Sequence, residues 1–279
     1  MSFALFAAMR SLTRGGGEHV HGAVAVPGRC HFDGEGKLQG PVSVTHNTPW
    51  PCPNGSWGSG AMQGVIMHTM VGNLPGTVSV FNNPNYQASA HFGIAQDGSV
   101  HQFGPIGKGW IAWAEEAGNA TWYSIEHADN GGTHNPLTAA QIAASAQIVE
   151  ALSAFAGFHL EVTDSTSGNG YGTHVMGGQA WGGHSCPGPG PRAGQRYEIV
   201  KIARAIRSGT PPPAAAQEYV TDGRVSWVEI AAEHKTTAAY LLRMNGGPGE
   251  PFPEDMRAYI NDGNLKAPMP AKITVRVPG

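Results

Sequence analysis

With 279 residues, 41% of them hydrophobic, the chain can build a core for one large or two modest domains. Charged residues make up only 13% and the formal net charge is −3, which leaves no electrostatic footprint for nucleic acid or an anionic membrane surface. No apolar run approaches the roughly 20 residues of a membrane-spanning helix, and three cysteines are too few for a disulfide framework.

Glycine (40) and proline (21) exceed a fifth of the chain, so a loop-rich fold is expected. The start, M-S-F-A-L-F-A-A-M-R, is mildly apolar but lacks a basic lead and a long enough apolar centre for a secretory signal. Synthesis in the cytoplasm without export by the usual route is expected. Residues 1–45 read as an extension of unclear role, with a turn at Gly15 to Gly17 and a short hairpin around Gly34 to Gly36. His19, His21 and His31 lie near Cys30, but their spacing matches no familiar ligand pattern. Cys30 and Cys52 could pair, but in a chain folded in a cytosol they are expected as free buried thiols. Trp50 and Trp57, in an irregular run, either line a groove or cap a core.

A domain over residues 46–208 follows. Gly64 to His68 reads as a central strand whose apolar run ends at His68. Ala90 to Ala95 and Ser99 to Phe103 flank the turn signal Gln96-Asp97-Gly98 and read as a hairpin. His91 and His101 alternate within those strands and are expected to be structural. Trp122 to His127 is a further strand. Its alternation puts Ile125 and His127 on one face, towards a helix layer, and Ser124 and Glu126 on the other, towards a cleft. His127 is expected to be satisfied by a hydrogen bond in that layer.

Thr138 to Gly157 is the clearest helix, opened by a Thr138/Gln141 capping box and closed by Gly157. Tyr171 to Arg192 is glycine-rich with almost no helix or strand propensity, yet it holds His174, His184 and Cys186. A second helix is expected from Ala193 to Ser208, with Tyr197, Val200, Ala203 and Ile206 on one side. Strands first and long helices later imply an α/β fold with a mixed central β-sheet flanked by helices. Residues 209–217 form a Pro/Ala linker, and residues 218–279 read as a small α+β domain.

Thiolate and imidazole are good zinc ligands, and a glycine-rich loop buries too little apolar surface for these side chains to serve packing. His68 at a strand end can complete a set drawn from His174, His184 and Cys186. Spacing leaves two choices open, because His184 and Cys186 at i,i+2 can chelate from extended backbone.

His68-Thr69, S-A-H-F-G-I-A-Q-D-G-S-V from Ser89 to Val100, A-W at Ala112 and Trp113, S-I-E from Ser124 to Glu126 and H-S-C-P-G from His184 to Gly188 occur in that order. In order and spacing the sequence resembles the zinc-dependent N-acetylmuramoyl-L-alanine amidases, the type 2 amidase and peptidoglycan recognition protein superfamily. The resemblance implies one Zn2+ held by His68, His174 and Cys186. It places Glu126 where some members carry a catalytic glutamate, a general base for water. His184 falls at a lysine or threonine position that stabilises the oxyanion. Trp181 and Trp113 are expected to contact substrate. Two family helpers are absent, Ala90 standing for a tyrosine and Ala114 for a histidine.

The tail is similar to a LysM module, a small wall-sugar binder, through Y-V-T-D-G at Tyr219, I-A at Ile230, T-A-A-Y-L-L-R-M-N at Thr237 and the ending I-T-V-R-V-P-G. A Pro/Gly-rich insert between Asn245 and Ile273 departs from that pattern. The implied activity is hydrolysis of the amide between N-acetylmuramic acid and L-alanine of peptidoglycan by a monomeric phage endolysin or bacterial autolysin, with no nucleic-acid or membrane partner. The alternative is a non-catalytic peptidoglycan recognition protein. Such proteins lose the cysteine ligand, and Cys186 is present.

Overall fold

The computed structural model describes residues 28–47, 62–132, 135–188, 190–210, 217–222, 224, 226–233 and 271–277. Its centre is a six-stranded mixed sheet in the order β3 (Val44–His46), β6 (Val100–Gln102), β5 (Phe92–Ile94), β7 (Trp122–His127), β4 (Gly64–Thr69), β8 (Gly170–Thr173). Only the β5–β6 pair is antiparallel. This is the mixed sheet with flanking helices that the residue pattern implies.

Every residue of β4 is buried, as a parallel strand covered on both faces requires. Its first residue must be glycine, because a Cβ there would lie 1.7 Å from the Gly170 carbonyl oxygen of β8. The β5–β6 hairpin reverses at Gln96-Asp97-Gly98, where Gly98 adopts φ +86° and the Asp97 carboxylate accepts the Ser99 N–H at 2.9 Å.

α1 (Leu74–Phe81) is absent from the sequence reading. It is short and opens with an Asn73 cap and Pro75, residues that read equally well as a turn. α2 (Ala139–Ala156) carries the expected capping box: Thr138 Oγ1 accepts the Gln141 N–H at 3.1 Å, and Gln141 Oε1 accepts the Thr138 N–H at 3.0 Å. Gly157 closes it in the left-handed region, at φ 82°. α3 (Arg192–Ser208) packs on α2. Its buried apolar residues are Ile199, Val200, Ile202, Ala203 and Ile206, whereas Tyr197 is only half-buried. The expected stripe is thus wider and rotated, because α3 meets both α2 and β8.

Residues 28–46 are built into this unit. β1 (His31–Phe32) and β2 (Leu38–Gln39) form the short hairpin, and Cys30, Phe32 and Leu38 enter the main core. The described cysteines, Cys30 and Cys186, are both free thiols. Towards the C-terminus, β9 (Gln217–Asp222) pairs antiparallel with β10 (Ala271–Val277), and α4 (Trp227–Glu233) follows β9. The Thr237–Asn245 motif and the Pro/Gly-rich insert as far as residue 270 lie outside the described residues. So do His19, His21, Trp50, Cys52 and Trp57.

Candidate functional site

The site forms where β4, β7 and β8, all parallel, end side by side. Open sheets place clefts outside the carboxyl ends of parallel strands. Alternation decides which side chains reach it. On one face Val65, Met67, Tyr123, Ile125 and Tyr171 enter the main core beside α2 and α3. His127 shares that face. Its Nδ1–H donates to the His68 carbonyl at 3.0 Å, so Nε2 accepts the Ser145 hydroxyl of α2 at 2.8 Å. On the other face Ile66, Trp122 and Trp181, with Met176, make an apolar floor. His68 and Glu126, paired in the β4–β7 register, stand on that same face.

β8 runs directly into a 3₁₀ segment, His174–Trp181, so the glycine-rich stretch is more ordered than its propensities imply. Its backbone breaks at Gly178 (φ 50°, ψ −140°) and turns at Gly182 (φ 82°), conformations that glycine adopts without steric cost. The chain then folds back, and the Val175 N–H donates to the Cys186 carbonyl at 2.9 Å. One bond thereby closes the long gap between His174 and Cys186.

Nitrogen atoms of His68 and His174 and the sulfur of Cys186 lie within 4.8 Å of one another. Bonds of about 2.0–2.3 Å around a tetrahedral zinc would set the ligand atoms roughly 3.3–3.8 Å apart, so a small contraction completes such a site. His174 Nε2–H donates to the Trp181 carbonyl at 2.8 Å, which leaves Nδ1 with its lone pair. Burial, and then His68, push the His174 pKa down to about 4, and burial lowers that of His68 as well. Both rings are neutral donors at neutral pH. Burial and Glu126 push the Cys186 thiol upward, opposed by the Thr69 N–H that Sγ accepts at 3.0 Å and by Arg192. A metal ion held there would stabilise the thiolate against burial and Glu126. Two neutral imidazoles and a sulfur fit zinc.

A cleft of about 760 Å³ opens over these atoms, lined among others by His68, Trp113, Glu126, His184 and Cys186. Glu126 is half-buried, and its Oε2 has no hydrogen-bond partner among the described residues. Burial raises its pKa, with Glu115 and Asp129 adding to the shift and His68 and Arg192 opposing it. His184 is exposed at the rim, its ring 4.8 Å from that of His174, and is not among the three converging donors. Trp113 is half-buried at the cleft wall. Trp181 touches the cleft but is only 4% exposed and packs edge-on against Trp122. It has little surface to offer a ligand, and its visible work is to floor the site and orient His174. A larger cavity of about 990 Å³, between α2, α3 and the β5–β6 turn, holds none of these residues.

His91 is structural as expected, wedged edge-on between Trp110 and Tyr123 with Nδ1 at Ser124. Two contributors escape sequence reasoning. Thr69, visible in sequence only as part of the His-Thr motif, gives its N–H to Cys186 Sγ and its hydroxyl to the Pro187 carbonyl at 3.1 Å. Glu115 is buried beside His68, whereas its neighbour Glu116 is exposed. In sequence the Glu115-Glu116 pair looks like a solvated charge run.

The sequence profile of the family described as N-acetylmuramoyl-L-alanine amidase matches residues 58–189. N-acetylmuramoyl-L-alanine amidase A of Achromobacter lyticus is 32% identical over 126 residues, covering 45% of this chain and 69% of that protein. Among solved structures, the Staphylococcus aureus hydrolase AmiA in complex with its ligand superposes with a TM-score of 0.47 at 16% identity, over 62% of this chain and 87% of that one. The N-acetylmuramoyl-L-alanine amidase LysC of Clostridium intestinale superposes at 0.40 and 14% identity, over 61% of this chain and all of its own 100%.

Proposed function

Because the chain belongs to the N-acetylmuramoyl-L-alanine amidase family, we propose that it is a zinc-dependent hydrolase of peptidoglycan, cutting the amide between N-acetylmuramic acid and the L-alanine of the stem peptide. The observation that carries this reading is the convergence of His68, His174 and Cys186 on one point under an open cleft. The chemistry a zinc ion supplies when held there is Lewis acidity towards the scissile carbonyl and acidification of water.

The chain's own residues do the rest. Glu126 lies beside His68 with an oxygen that has no partner among the described residues. It accepts a proton from the attacking water and returns it to the departing amine. Its raised pKa favours that return, because an amine leaves only once protonated. His184, exposed on the same rim, donates to the oxyanion as the carbonyl becomes tetrahedral. Trp113 offers an aromatic wall to the glycan. Trp122 and Trp181 keep the floor dry, which strengthens every charge interaction above them.

The residues after the linker are read as a LysM-like wall binder that raises the effective concentration of the catalytic domain at an insoluble substrate. Release from the cytoplasm onto the wall, as by an endolysin, is the delivery this reading proposes.

Digestion of purified peptidoglycan tests the activity. New L-alanine amino termini without new reducing sugar ends are the expected products. Reducing ends without amino termini, or binding without any cleavage, would contradict the proposal.

A further inference from the structure

His68 and Glu115 face one another in the wall beneath the cleft. His68 Nε2 lies 3.9 Å from Glu115 Oε1, and the two side chains are 4% and 0% exposed. Neither the Nε2 of His68 nor either carboxylate oxygen of Glu115 has a hydrogen-bond partner among the described residues. Buried polar atoms are almost always paired, so two unpaired groups pointing at each other call for an explanation. A shift of about 1 Å brings them to hydrogen-bond distance.

The segment that carries Glu115 is held firmly. Asn119 Oδ1 accepts the backbone N–H of Ala114 at 2.9 Å and of Glu115 at 2.7 Å. The Gly118 N–H closes the turn onto the Glu115 carbonyl at 2.8 Å. Gly118 in turn lies under Trp181, where an added Cβ would meet the indole at 2.8 Å. Trp181 is the residue whose carbonyl orients His174. The two short 3₁₀ segments, Glu116–Gly118 and His174–Trp181, therefore pack together and present one acceptor to each histidine.

We propose that Glu115 is a positioning residue for His68: its carboxylate accepts the Nε2–H and fixes the ring with Nδ1 turned to the metal. This rests on the zinc reading given above. A ligating imidazole commonly donates its second N–H to a carboxylate or carbonyl, which selects the tautomer and makes the metal-facing nitrogen more basic. His174 has a backbone carbonyl as that support and His68 a carboxyl group.

The test uses the full chain as wild type, Glu115→Gln and Glu115→Ala, each checked for folding by circular dichroism. Zinc affinity is measured by competition with a chromophoric chelator, and the histidine ring signals of zinc-loaded protein are read by 1H–15N NMR. Glu115→Ala is expected to weaken zinc binding about 10- to 100-fold. Glu115→Gln, which keeps an acceptor oxygen, should lose less. In wild type the His68 Nε2–H signal should be slow to exchange and shifted downfield, and in Glu115→Ala it should lose that shift. With zinc saturating, kcat should fall while KM holds. If Glu115→Ala does not fold, the isosteric Glu115→Gln carries the test. Wild-type zinc affinity in the folded variants would overturn the role of Glu115 and leave the metal reading standing. A wild type that takes up no zinc would overturn both.

Discussion

His68 and Glu126 occupy paired positions on the parallel strands β4 and β7 and project from the same face of the sheet. A metal-ligand candidate and a proton-transfer candidate are thus set side by side by strand register alone. Such a placement is rigid, because a one-residue slip of either strand would turn its side chain into the helix layer.

Glu126→Gln tests the assignment that follows. The amide is isosteric and keeps the hydrogen-bonding outline but cannot take a proton from water. Loss of a general acid–base group costs about 10²- to 10⁴-fold in rate. Peptidoglycan hydrolysis is expected to fall by that amount, measured as released amino termini, while the zinc content stays at the wild-type value. Loss of zinc along with activity would instead make Glu126 a part of the metal site.

Acid should destabilise the fold before most carboxylates protonate. Burial holds both His91 and His127 at about 3 in the folded chain, His68 and Arg192 reinforcing the respective shifts. Ordinary imidazole titrates near 6.5. The unfolded chain therefore binds more protons below that value, and stability falls with falling pH. The loss develops between about 6.5 and 3, and amounts to on the order of 1–2 kcal/mol per histidine by pH 5. Urea unfolding of the metal-free protein at pH 8 and pH 5 measures it. Glu126, whose pKa is raised by burial, contributes with the opposite sign, so the two rings are also followed by 1H NMR, and rings that titrate near the ordinary imidazole value of about 6.5 would contradict the prediction.

Thr138→Ala removes the cap of α2 and with it the Thr138 hydroxyl's bond to the Gln96 carbonyl at the β5–β6 turn. A lost cap costs about 1 kcal/mol, and the second bond should bring the total towards about 2 kcal/mol. Chemical denaturation should show that decrease with an unchanged slope. Thr138 is not among the residues that line the cleft, so the activity of the folded fraction should not change.

How far these features can be read from residues alone depends on whether neighbours in sequence make them. The capping box at Thr138 and the alternation that turns His127 to Ser145 and Glu126 to the cleft are local, and both are legible. Other features are tertiary. Cys186 reaches His174 because a Val175 N–H finds the Cys186 carbonyl across a glycine-rich fold-back, so spacing by itself left His184 a rival. Glu115 and Glu116 are identical in type and adjacent in sequence, and only tertiary packing buries the first beside His68 and leaves the second exposed. α1 went unread because Asn73 and Pro75 signal a turn as readily as a helix start.

Metal analysis of wild type beside His174→Ala and His184→Ala is the most direct measurement. His174 converges with His68 and Cys186, whereas His184 stands exposed at the rim. One zinc per chain is expected in wild type and in His184→Ala, with hydrolysis reduced in the latter, and none in His174→Ala. Zinc retained by His174→Ala and lost by His184→Ala would contradict the proposed centre.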